Sequence, residues 1–186
     1  LLVDLAKAVA MADEVMAGME RLGERLHKEH ELEFWWCMAC AHFGAGQMNK
    51  SLFWLNKVLN DPEPTLRQDI FTYARLFNLV VHFELGNNDL LEYIVRSTQR
   101  FLSKRHRAYQ VETLLMEQIK KLARMTDPSA RRELFRGLHQ QLLDLMKDPN
   151  ESLVLKYFDV LAWTESHVAG LPFSEVVRKR SQSAKA

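Results

Sequence analysis

Apolar side chains return every three or four residues along nearly the whole chain, the interval at which one face of an α-helix repeats. Turn-forming residues punctuate these runs. Residues 3–27 carry a stripe of Leu5, Val9, Ala12, Met16, Met19, Leu22 and Leu26, interrupted by Gly18 and Gly23, each of which costs a helix interior about 1 kcal/mol relative to alanine. A second helix is expected over residues 31–43, ending at Gly44 and Gly46, and a third over 49–60, closed by Asp61-Pro62-Glu63-Pro64. Thr65 with Gln68 three positions on is a capping-box signature, which starts the fourth at Leu66 and carries it to Leu85. Asn88 caps a fifth, with Leu91, Val95, Thr98 and Leu102 on one face and a basic corner at its end. A sixth has Val111, Leu114, Leu115, Ile119 and Leu122 in its stripe, and Asp127-Pro128 supplies a cap and a first-turn proline for the seventh. Asn150 caps an eighth whose apolar residues, through Trp163, cover more than half its circumference, so burial on two sides is expected. A short last helix follows Gly170 and Pro172, and residues 181–186 read as a frayed polar tail.

All five prolines lie in the joints between about nine helices, and links of about two to six residues make neighbouring helices antiparallel. Such hairpins either close into a bundle or stack in one direction, and self-similarity at a fixed period favours stacking. One segment shows it: Trp35, Met38, Ala39 and His42, then Gly46, then Ser51, Leu55, Val58 and Leu59, then Pro62. A second repeats it more weakly with Leu79, His82 and Gly86 followed by Leu91, Val95 and Thr98. The parallel is plainest in Ala41-His42-Phe43-Gly44-Ala45-Gly46-Gln47 against Val81-His82-Phe83-Glu84-Leu85-Gly86-Asn87. Over about residues 31–103 the chain resembles the tetratricopeptide repeat, with departures. Ser51 and Thr98 stand where alanine is usual, His42 replaces an aromatic, and Gly46 to Gly86 spans 40 residues, against the usual 34.

The resemblance implies an all-α fold, a right-handed array of antiparallel helical hairpins forming a tetratricopeptide-like α-solenoid, in one domain over residues 1–180. It also implies that the first helix of each hairpin lines a concave side, placing Trp36, Cys40, Phe43, Tyr73, Val80 and Phe83 in a groove. None of them is the Lys, Asn or Arg with which one subclass of the family holds a terminal carboxylate. An apolar groove suits a helix or extended hydrophobic segment of a protein or peptide partner, held by a few aromatic anchors. On this expectation the chain is a non-catalytic interaction scaffold, and Trp36→Ala and Phe83→Ala abolish partner capture without unfolding. The competing expectation is a ligand-sensing or regulatory module of a larger protein whose earlier part precedes Leu1, with a closed apolar pocket and a few converging polar groups as its mark. The chain's own first or eighth helix filling the groove is the plain structural alternative.

Composition narrows the functional classes. Lys+Arg number 25 against 24 Asp+Glu, a formal net charge of +1, which gives no overall field to hold a nucleic acid. No apolar run approaches the ~20 residues of a membrane span. With 47% hydrophobic residues a chain of this length needs neither disulfide nor metal to stay folded. Cys37 and Cys40 sit within one predicted helix and are expected as reduced thiols in a cytoplasmic compartment. The pair lacks the further ligands of a zinc site, and Ala41 stands where haem attachment needs histidine, so packing is the favoured reading. His27, Glu29, His30 and Glu31 read as a solvated turn. No His-Glu-x-x-His, glycine-rich phosphate loop or serine elbow occurs, so no catalytic residue, metal or cofactor is assigned. Arg96, Arg100, Lys104, Arg105 and Arg107 are the remaining candidate, a possible anion patch with no acid between Glu92 and Glu112. A solvated helix end, whose negative pole favours such cations, explains them equally.

Overall fold

The computed structural model describes residues 5–23, 26–104 and 109–183, which form ten α-helices and the 3₁₀ segment Glu151–Lys156, with no strand among them. The helices are α1 (Leu5–Ala10), α2 (Ala12–Leu22), α3 (Lys28–Gly44), α4 (Met48–Leu59), α5 (Gln68–Glu84), α6 (Asn88–Leu102), α7 (Gln110–Ala123), α8 (Pro128–Leu145), α9 (Val160–Ala169) and α10 (Phe173–Ser183). The expected first helix is broken at Met11, and the turn at Gly23 takes a φ of 50° that an L side chain resists.

Three helices end in the same way. Gly46, Gly86 and Gly170 all have positive φ, and the N–H of the next residue reaches back five positions: Gln47 to His42 O, Asn87 to His82 O and Leu171 to Ser166 O. The phrases that look alike in sequence therefore make like turns, and a side-chain bond braces each of the first two. Gln47 Oε1 accepts from His42 Nδ1 at 2.9 Å, while Asn87 Nδ2 donates to His82 Nδ1 at 3.0 Å, so the two imidazoles carry opposite tautomers. The small residues expected at helix crossings are buried, and Ser51 Oγ donates to Ala39 O at 2.7 Å where α4 crosses α3.

α5 is the centre of the molecule. It packs against α3, α4, α6 and α7, and its side chains are buried on every face, from Ile70 to Phe83. Burial on two sides, expected of the eighth helix, holds for its α9 part as well, where every residue from Val160 to Thr164 is buried. The Thr65–Gln68 box does not form, and α5 begins after Arg67 without a side-chain cap. The eighth helix is divided: the 3₁₀ segment ends at Lys156, and Asp159 Oδ1 accepts from Ala162 N at 2.8 Å to start α9. An internal N-cap with its own first turn defeats a continuous helix that hydrophobicity alone allows. Asp127 caps α8 as expected, accepting from Ser129 N and Ala130 N. At the end of the chain residues 181–183 continue α10, whereas a frayed tail was expected; 184–186 lie outside the described residues.

Candidate functional site

The six residues expected to line an open groove are covered by the chain itself. Trp36, Phe43, Tyr73, Val80 and Phe83 are at most 9% exposed, and Cys40 is half-buried. Trp36 meets Phe77 and Tyr157, with centroids 5.4 and 6.5 Å away; Phe43 meets Phe77, Phe158 and Phe173 at 5.1–5.3 Å; Tyr73 stacks on Tyr157 at 4.0 Å. Phe83 packs on Phe135 and Trp163. The Cys40 thiol donates to Tyr157 O at 3.7 Å, and burial pushes its pKa well up. α3 and α5 do present one wall, as expected, but residues 157–173 fill it, because Tyr157, Phe158, Trp163 and Phe173 bury more aromatic surface there than a solvated wall would.

Polar bonds pin this filling segment at both ends. Glu151, buried, caps α7 from 40 residues away: Oε1 accepts from Gln110 N and Oε2 from Val111 N, each at 2.9 Å. Tyr157 Oη donates to Asp69 Oδ2 at 2.8 Å, while Arg67 grips both Asp69 oxygens and also reaches Glu33. The guanidinium, helped by the tyrosine, holds the Asp69 carboxyl down at about 2, and burial followed by the aspartate raises Tyr157 above the ordinary phenol range. On α9 the Thr164 hydroxyl donates to a backbone carbonyl, Val160 O or Leu161 O, so His139 Nδ1 must be the donor in the 2.8 Å bond from α8 to Thr164 Oγ1.

Where α3, α5 and α9 end, the filling is incomplete. A cleft of about 560 Å³ remains, bounded by the Gly44–Gly46 turn, Met48, Glu84, the α9 end and the first residues of α10. Its apolar walls are Phe43, Trp163, Leu171 and Phe173. Glu84 Oε1 accepts from Trp163 Nε1 and from His167 Nε2, both at 2.7 Å, which fixes the carboxylate from two sides. The imidazole of His167 is stacked on Phe135 at 3.9 Å with 5° between planes, so its direction is set too. Glu84 Oε2 accepts from no described residue. Ser166 also lines the cleft, but its hydroxyl is committed to Trp163 O at 2.7 Å.

No protein-family model, curated protein or solved structure matches this chain. The site therefore rests on its own geometry. Sequence reasoning missed Glu84, Trp163 and His167. The signal available was partial: Trp163 and His167 are four apart on one face of α9, but their partner lies 79 and 83 residues earlier. Glu84 stands where the matching phrase of the first hairpin has Gly44, a polar residue among apolar neighbours.

The other candidates stay apart. Arg96, Arg100 and Lys104 are exposed and line none of the described cavities, and Arg105 and Arg107 lie outside the described residues. Cys37 is an exposed residue whose thiol is partly desolvated beside Glu33, which raises its pKa and works against the thiolate form. His30 meets Glu33 on the surface. Among the described residues no three His, Cys, Asp or Glu side chains are grouped to hold a metal, and no helix is long and apolar enough to cross a membrane.

Proposed function

We propose that the chain is a non-catalytic ligand-binding module, in which the cleft at the ends of α3, α5 and α9 receives a small molecule and helix packing relays its occupancy. The observation that carries this reading is Glu84: a carboxylate that lines a largely apolar cavity and whose Oε1 is held by Trp163 and His167. Few, fixed polar groups in an apolar hollow are what orient a ligand. The commitment of the Ser166 proton to Trp163 O supports binding over turnover, since it leaves that hydroxyl no base. The like-built hairpins of α3/α4 and α5/α6 support a tetratricopeptide-like origin for residues 31–103. The scaffold reading at Trp36 and Phe83 would require residues 157–173 to leave the wall they cover, which disfavours it.

A chemically varied fragment set, followed by ¹⁵N–¹H correlation spectra, tests the site. Hits should move the Trp163 indole N–H and the amides of Gly46 and Gly170 together, and Ala45→Trp, a bulky change at the exposed rim, should remove them. Shifts scattered over other surfaces would end this reading.

A further inference from the structure

We infer that the ligand of this cleft is an organic cation, a protonated amine carrying a small aromatic or aliphatic body; the inference rests on the reading of the cleft as a ligand site. Glu84 is the one acidic side chain lining it, and no Lys or Arg lines it. Its Oε1 accepts from both Trp163 and His167, which fixes the carboxylate at the cavity wall and leaves Oε2 as the oxygen with acceptor capacity to spare. The chain ends of α3 and α9 also face the cleft, at Gly44–Gly46 and at Gly170, and α5 ends at Glu84 itself. Three helix C-termini add the negative ends of their dipoles to the carboxylate. α10 begins there with the opposite polarity: Glu175 N and Val176 N make its first internal bonds, both to Pro172 O, while Phe173 and Ser174 line the cleft, so this positive helix end offsets part of that field and Glu84 carries the net charge.

Two arginines stand outside the lining. Arg131 lies over the Phe83 ring at 4.7 Å, and the guanidinium of exposed Arg132 comes up to Gly170 at the rim, but neither side chain is part of the cleft wall. The body of the ligand would lie against Phe43, Trp163 and Phe173, whose ring faces attract an ammonium group as well as an apolar stem. A carboxylate or phosphate would meet the Glu84 carboxylate with like sign.

Three near-isosteric probes decide the class: phenethylamine, 2-phenylethanol and phenylacetate, titrated into the whole chain while the Trp163 indole N–H is followed. The amine should saturate that resonance at least tenfold more tightly than the alcohol, with phenylacetate inert, and Glu84→Gln, which keeps an acceptor for Trp163, should cost the amine tenfold or more. Equal binding by the alcohol, or binding by phenylacetate, would overturn the cation inference while leaving the cleft a ligand site. No response to any of the three or to an acetyl-lysine-amide peptide would overturn both. A side chain as the source of the ammonium is separated by an acetyl-lysine-amide peptide: binding of the peptide with no binding of phenethylamine would refute the free amine.

Discussion

Glu151 is the side chain whose removal should show most clearly how residues 151–173 are held. Its two oxygens accept from the first two amides of α7, Gln110 N and Val111 N, at 2.9 Å each, and the side chain is buried. These amides have no partner within their own helix. In Glu151→Ala the Gln110 amide, at an exposed residue, recovers most of its loss by turning to water, whereas Val111, 2% exposed, cannot. A hydrogen bond to a charged group contributes roughly 1.5–3 kcal/mol, and an orphaned buried amide costs about 1–3. Loss of the negative charge at the helix N-terminus adds about 0.5–1. Because the lost bond and the orphaned amide partly count the same loss, the low end of these figures applies, about 3 kcal/mol, a large part of the stability of a domain this size. Urea unfolding followed by far-UV circular dichroism measures it, with the m-value unchanged if the native state keeps its shape. Glu151→Gln should fall about as far, because its amide group must face one of the two donors. A loss below about 0.5 kcal/mol for Glu151→Ala would refute the claim that this carboxylate ties the segment to α7.

Two further outcomes follow from the same packing. Asp69 is held at about 2 by Arg67, from an ordinary value of 3.8, so its folded pKa is depressed. Its contribution is complete above the ordinary value and disappears as pH falls towards about 2, so urea midpoints of the native chain and of Asp69→Asn should converge over that interval, and a constant gap would contradict the pairing. Trp36→Ala and Phe83→Ala, expected from the sequence to spare folding, should each destabilise by about 3–5 kcal/mol because they open cavities between α3 or α5 and the filling segment; thermal unfolding near that of the native chain would restore the open groove.

The all-helical character was legible because it is local. A three-and-four periodicity, five prolines in the joints, glycines able to take positive φ and an Asp-Pro start each act within a few residues, and Gly46, Gly86, Gly170 and Asp127 behave as their types require. Local signals also misled where two competed. Thr65 and Gln68 could form a cap, but the chain enters α5 through Arg67, whose side chain is drawn to Asp69 and Glu33. The apolar run after Asn150 could be one helix, but Asp159 starts another.

The amino-acid order by itself determined which stretches are helical, where those closed by glycine or proline stop, and that each carries an apolar face in need of cover. What covers that face was decided only in three dimensions. Tyr157, Phe158 and Trp163 compete with solvent and with any outside partner for the wall of α3 and α5, and within one chain their effective concentration is high, so they win it. The pairing of Glu84 with Trp163 and His167 is likewise invisible in linear order, since a hydrogen bond spanning some 80 residues leaves no periodic trace. Periodicity reports the sum of near-neighbour preferences; the cleft exists because distant helices end at the same point.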